Sequence, residues 1–332
     1  MHPLLNRMTR RAAVALACTA AMASPLLAQA QSDYPNKPIR VIVPFPPGGA
    51  SDTLGRMVAQ HLQTAWGQPG VVENRPGAGG NIGAEAGAKA APDGYTLTLA
   101  AAGFMAVNPS LYPRLNYDSA TDFAPVALVV KAPLLLVVNP AKVQATTARA
   151  FIEQARRAPG TVTIGNGGTG TAQHLGGVSF ALAAGIDVAH IPYKGSAPAT
   201  NDLLGGVFDA QFDNLVTLVP FVKSGKLRAL AVSSAQRVAA LPEVPTLAEA
   251  GLPGFEDGTW YGIVAPRGTP QPIVDRLNAE ILKMLAQPET RDKLLAMGLE
   301  PAGNSPAAFG QMVRAEIAKY AKVVKAGNVK ID

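Results

Sequence analysis

The sequence predicts a two-lobed α/β protein with mostly parallel sheets. Strand-like and helix-like segments alternate along the chain, the pattern of parallel sheets covered by helices. The pattern starts over near the middle, at residues 134–138. Two glycine-rich turns, at 44–52 and 165–171, each join an apolar strand-like run to a helical segment.

The elements follow from local spacing. Ile39, Val41, Ile42 and Val43 form the first strand. Leu54, Met57, Val58, Leu62 and Ala65 then recur at helical spacing, with Gly67 as the stop. Val71 and Val72 start a short strand, 82–91 forms a helix and 95–99 the next strand. The second half reads as a strand at 134–138, a helix at 148–157, a strand at 161–164 and a helix at 171–184. Strands at 188–191 and 227–232 follow, and 260–264 leads into an all-helical tail. In that tail Thr269-Pro270 reads as a cap with proline at the first helical position, and Ser305-Pro306 repeats it. No flexible linker separates the halves. The chain is therefore expected to cross between lobes more than once, as 31–130 with 254–332 and 131–253, and to close around a ligand at the hinge.

The first 30 residues read as a secretory signal peptide. Arg7, Arg10 and Arg11 make a basic start, 12–27 is apolar, and Ala28-Gln29-Ala30 is an A-x-A cleavage signal. The apolar run is shorter than the roughly 20 residues that span a bilayer. Cleavage after Ala30 into the periplasm is preferred to lipidation of Cys18, because Ala15 stands where a lipoprotein signal usually has Leu. Cys18 is the only cysteine, so the mature chain has no disulfide or thiolate chemistry. Loss of the three arginines lowers the formal charge from +6 to about +3. The remaining basic residues are scattered and aromatics make up only 6%. Nucleic-acid binding needs a basic stripe with stacking rings and is not expected.

A glycine turn that enters a helix leaves unpaired N–H groups at the positive end of the helix dipole, a site for an anion. Two such turns suggest a carboxylate held at both ends. Gly165, Gly167 and Gly170 also match G-x-G-x-x-G, but Asp187 precedes the following strand instead of ending it, against a dinucleotide site. A purely structural turn stays beside the anion reading. His61, His174 and His190 are too dispersed for a metal, and no nucleophile–base pair emerges, so no cofactor, metal or catalysis is expected. His61 reads as packing or surface, His190 as a satisfied core histidine, and Lys194 as a surface lysine. His174, in the first helical turn, is open between packing and ligand contact. Asp213 reads as a helix cap for Leu215 onward, with a ligand role as the alternative. Trp260 and Tyr261 read as core, with a cleft wall as the alternative.

The ordered motifs Val43-Pro44-Phe45-Pro46-Pro47-Gly48-Gly49 with Asp52, Val72-Glu73-Asn74-Arg75-Pro76-Gly77-Ala78-Gly79-Gly80, Pro92-Asp93-Gly94-Tyr95, Asn108-Pro109-Ser110-Leu111-Tyr112, His190-Ile191-Pro192-Tyr193-Lys194-Gly195, Trp260-Tyr261-Gly262 and Ala265-Pro266-Arg267-Gly268-Thr269-Pro270 resemble one family. It is the Bug-type (TctC-like) periplasmic solute-binding proteins of the tripartite tricarboxylate transporter family, matched over about 33–330. The resemblance implies a type II-like, Venus-flytrap binding protein. It would capture a small mono- or dicarboxylate and deliver it to membrane transporter subunits, acting as a monomer. A receptor that presents the ligand to a signalling partner is the alternative. Mapped onto this chain, the resemblance puts Phe45, Gly48, Gly49, Ala50 and Ser51 on one side of the cleft. Gly167, Thr169, Gly170, Thr171 and His174 lie on the other, with Gly80, Phe104 and Asp213 also lining it. No ligand-pairing arginine is implied. Binding is expected to depend on backbone approach at Gly49 and Gly170, where a Cβ would crowd the anion or meet a positive φ, more than on His174.

Overall fold

The computed structural model describes residues 34–330. The expected leader and its cleavage after Ala30 lie outside the described residues. The first strand, β1 (Ile39–Val43), is buried on both faces except at Arg40 and pairs in parallel with β2 (Gly70–Asn74) and β3 (Thr96–Ala101). Helices α1 (Ala50–Trp66) and α2 (Asn81–Ala88) make the connections. Leu54, Val58 and Leu62 form the buried stripe of α1. The helix stops at Gly67, whose left-handed φ of 70° lets its N–H donate back to the Gln63 carbonyl. A π-turn at Gly103–Val107 and the short α3 (Asn108–Leu111) follow.

The longest strand is β4 (Phe123–Val138), 16 residues and roughly 50 Å at about 3.3 Å per residue. It leads to α4 (Ala148–Arg157), β5 (Thr163–Asn166), α5 (Ala172–Ala184), β6 (Ala189–Pro192) and α6 (Ser196–Leu204). Then come β7 (Ala210–Asn214), α7 (Leu215–Lys223) and β8 (Arg228–Val232). The chain returns through β9 (Gly258–Pro266), and α8 (Gln271–Ala286), α9 (Pro288–Ala296), β10 (Glu300–Pro301) and α10 (Pro306–Ala326) complete it.

Strand order is β2-β1-β3-β9-β4-β7-β5-β6, with β8 and β10 also on β4. The outer trios, β2-β1-β3 and β7-β5-β6, are parallel, because each of their strands is reached by a helical crossover. The pairings of β9, β8 and β10 are antiparallel. The long strand changes partners in its middle: pairing with β9 ends at Pro133 opposite Gly258, and pairing with β7 begins at Leu134 opposite Asn214. Beyond that point Leu134, Leu136 and Val138 face one core with Phe151, Phe180 and Phe212. Leu135 and Val137 face another with Phe208, Leu215 and Leu218. Burial on both faces explains why this stretch reads as a continuous apolar run.

Some boundaries differ from the sequence reading. The first half of β4 is hidden by Pro125, Lys131 and Pro133; the register shift after Pro125 relieves the missing donor. Helix α6 is missed, and the 161–164 strand lies two residues later as β5. Thr269 does not cap α8: its hydroxyl donates to the Pro266 carbonyl at 2.8 Å, and the helix starts after Pro270. Ser305 does cap α10, accepting from the Ala308 N–H at 3.2 Å. The tail is not all helix, since β10 pairs Glu300 and Pro301 with Lys131 and Val130.

Close sheet–helix packing rests on Gly262 of β9. A Cβ there would lie 2.3 Å from the Phe309 ring of α10 and 2.7 Å from the Ala127 carbonyl oxygen. Gly262→Ala is expected to lower stability by about 1–3 kcal/mol through overpacking, checked by urea unfolding.

Candidate ligand-binding cleft

Four helices begin at one cleft. Helix α1 follows Gly49 with no side-chain cap, so the N–H groups of Ala50, Ser51 and Asp52 lack intrahelical acceptors. Helix α6 follows Gly195, and α7 follows Asn214, both also without a side-chain cap. Only α5 is capped: Thr171 accepts from the His174 N–H at 3.2 Å and donates to the Gly168 carbonyl at 2.7 Å. The cleft walls are Phe45, Pro46, Gly49, Ala50 and Ser51 from the first lobe, with Ala101 and Gly103 at the end of β3. Opposite them stand Gly167, Thr171, Ala172 and Gln173, then residues 195–198 and Asn214; Thr259 and Tyr261 close the floor. None of these lining residues carries a charge, so the helix termini supply the positive field. The space is narrow, about 40 Å³, room for a few waters at about 10–15 Å³ each.

Polar residues behind the walls hold the loops. Asn74 donates to the Phe45 carbonyl at 3.0 Å and to Asp52 at 2.9 Å, while the Gly48 N–H donates to Asp52 at 3.2 Å. Burial would raise the Asp52 carboxyl, but hydrogen bonds from Arg56, Asn74 and Gly48 hold it below its ordinary value. In the second lobe Asp213 accepts from the Ser196 hydroxyl at 2.7 Å, the Asn214 N–H at 2.7 Å and the Gln211 amide at 3.0 Å. Complete burial pushes its carboxyl up, against those bonds. Asn214 donates to the Tyr261 hydroxyl at 3.0 Å, a bond from β7 to β9. Burial and the Asp213 charge raise that phenol above its ordinary range, so it stays a donor.

The structure gathers Phe45, Gly49, Ala50, Ser51, Gly167 and Thr171 in the cleft. Gly48 is exposed just outside it. Gly80 and Thr169 line an adjoining groove of about 570 Å³ that shares Phe45, Pro46, Gly167 and Gly195. Phe104 is fully buried behind Gly80 and lines neither space. Gly170, His174 and Asp213 also lie behind the wall. Gly49 has an ordinary φ of −95° and open space at its Cβ, so the positive φ belongs to Gly48 instead. Gly170 has φ 79°, and a Cβ would sit 2.4 Å from Asn108 Oδ1, so the fold itself requires it. Gly165 likewise leaves room for the Phe208 ring, which accounts for the first glycine of the G-x-G-x-x-G match.

Asp213 is not the cap of α7, because its carboxylate turns back to Ser196 and Gln211 and the N-cap is Asn214. The His190 Nδ1 is buried without a partner, so this histidine is not satisfied. Its ring meets His174 edge to face at 5.4 Å. His61 pairs with Glu280 at 3.0 Å. Lys194 is exposed, as expected. The sequence reading missed Ser196, Asn214 and Gln173. A strand, then Gly195, then a helix was the available signal for Ser196.

Across the cleft the lobes meet at glycines. A Cβ on Gly79 would lie 2.9 Å from the Thr169 carbonyl oxygen, and one on Gly103 3.0 Å from the Gly170 carbonyl oxygen.

With this geometry in hand, the model of the "Tripartite tricarboxylate transporter family receptor" matches residues 54–329. The chain belongs to that family. This family member is 41% identical over 314 residues to Protein BugT of Bordetella pertussis, covering 94% of the chain and 95% of BugT. It superposes on R. palustris Rpa4515, solved with adipate, at a TM-score of 0.87 and 38% identity, covering 90% and 99% of the two chains. MatC from Rhodopseudomonas palustris, solved with bound malate, gives 0.82 at 34% identity, covering 88% and 100%. Among the described residues no helix is long and apolar enough to cross a membrane.

Two outcomes follow for this receptor. Gly103→Ala places a methyl between the lobes without entering either core. It should weaken solute binding in the cleft by about tenfold, from the roughly 1–3 kcal/mol of an overpacked methyl, while urea stability without solute is unchanged; calorimetry reads the first. Burial and the neighbouring His190 hold His174 down to about 4 from 6.5. The unfolded chain takes up that proton below pH 6.5, so the contribution of neutral His174 is complete above 6.5 and is lost as pH falls toward 4. Between pH 7 and 5 the native chain should lose about 2 kcal/mol more than His174→Gln, at 1.36 kcal/mol per unit, by urea unfolding at each pH.

Proposed function

We propose that this chain is a periplasmic receptor that captures a small mono- or dicarboxylate between its lobes and releases it, unchanged, to the membrane subunits of a tripartite tricarboxylate-type transporter. The observation that carries the reading is the convergence of four helix N-termini, three of them without a side-chain cap, on a cleft whose lining carries no charge. A carboxylate is an acceptor-only anion and suits such a set of backbone donors. The ligands of Rpa4515 and MatC, adipate and malate, belong to the same chemical class. The carboxylate meets the N–H groups of Ala50 and Ser51 on one side and of Ala172, Gln173 and Ser196 on the other. The lobes, 31–130 with 254–332 and 131–253, part to admit it about the crossings at Pro133 and Gly258. Cleavage after Ala30 delivers the chain to the periplasm.

A thermal-shift panel of aliphatic and aromatic acids against their primary amides tests this. At least one acid should stabilise the protein, by about 2.7 kcal/mol at a hundred times its Kd, and its amide should not. Equal stabilisation by the amide, or none by any acid, would overturn the reading.

A further inference from the structure

The cleft contains more than anion donors. Asn214 is 1% exposed and lines the cleft at the start of α7. The direction of its amide is fixed by its neighbours. Its Nδ2 lies 3.0 Å from the Tyr261 hydroxyl and 3.4 Å from Asp213 Oδ1. Asp213 Oδ1 already accepts from the Ser196 hydroxyl and the Asn214 N–H, so it presents an acceptor and the nitrogen must face it. The Asn214 Oδ1 is left buried with no hydrogen-bond partner, a condition that costs free energy unless something supplies a donor.

No donor among the described residues reaches it. Ser196, on the same wall, spends its proton on Asp213, and Thr171 spends its proton on the Gly168 carbonyl. Toward the cleft both hydroxyls offer only lone pairs. A plain ionised carboxylic acid also offers only acceptors. It satisfies the helix N–H groups but leaves the amide oxygen unpaired.

Resting on the carboxylate reading above, we infer that the cleft selects acids whose carbon chain also carries a hydrogen-bond donor, a hydroxyl or an ammonium group, and that Asn214 reads it. Discrimination of this kind is strong, because the analogue that lacks the donor leaves a buried group unpaired. Asn214 is the specificity-determining residue, and the helix termini hold the carboxylate that all such acids share.

Calorimetry on the chain lacking its leader, with propionate against lactate and with succinate against malate and aspartate, is the test. In at least one series the donor-bearing acid should bind at least about tenfold tighter than its parent. Malate or lactate ahead assigns a hydroxyl, and aspartate ahead assigns an ammonium. Asn214→Leu should bring the ratio to within about twofold, since neither acid then meets an unpaired acceptor. If Asn214→Leu does not fold, the native series still decide selection by the donor. Parents that bind as tightly as their derivatives overturn the inference and leave the carboxylate reading standing. No binding by any of the five overturns the inference, whereas failure of the wider acid panel overturns the carboxylate reading. A ratio that survives in folded Asn214→Leu removes the role from Asn214.

Discussion

The structure depends on backbone N–H groups that the helices cannot satisfy themselves. Every α-helix begins with such donors, and most proteins quench them with a capping side chain or scatter them over the surface. Here α1, α6 and α7 are left without a side-chain cap, and with α5 they open on one space. A charged side chain among them would fill the role of a ligand, and none lines the cleft. The carboxyl groups stand one layer back. Asp52 braces the first-lobe loop through Gly48 and Asn74, and Asp213 braces the second-lobe wall through Ser196 and the Asn214 N–H.

The same constraint explains the glycines. Backbone donors reach a ligand only if no side chain stands in the way, and two lobes approach closely only where side chains are missing. Gly79 and Gly103 are such places, where an added Cβ would lie 2.9 and 3.0 Å from carbonyl oxygens of the opposite loop. Gly170 serves a different end, since it makes room for Asn108, whose amide donates to Asn81 at 2.6 Å and to the Gly79 carbonyl at 3.3 Å. The second-lobe turn is thereby fitted to the side chain that holds the first-lobe turn.

Much of this was legible in the residues. The alternation of elements, both glycine turns and the stop at Gly67 are local features, governed by backbone sterics and periodicity, and they stand where the sequence put them. Restarting at Leu134 was legible as a new lobe, but its continuity with Phe123 was not, because Pro125, Lys131 and Pro133 break the pattern that pairing with β9 sustains. The first wall of the cleft, Phe45 and 49–51, could be read because one loop supplies it. Asn214 and Tyr261 could not be read together: they lie 47 residues apart and meet only through the order of strands in the sheet. His174 was open between packing and ligand contact by its position along the helix, and its ring meets that of His190.

Sheet order has a consequence for how the chain is made. The outer edge of β3 is covered by β9, which starts at Gly258, far later in the sequence. At synthesis rates of about 5–20 residues per second, roughly eight to thirty seconds separate the two strands as they emerge. Throughout that interval the β2-β1-β3 trio carries an open apolar edge, the kind of template that recruits foreign strands. The first lobe therefore cannot finish before almost the whole chain is available. A polypeptide held unfolded until release meets that condition without an aggregation-prone half-product.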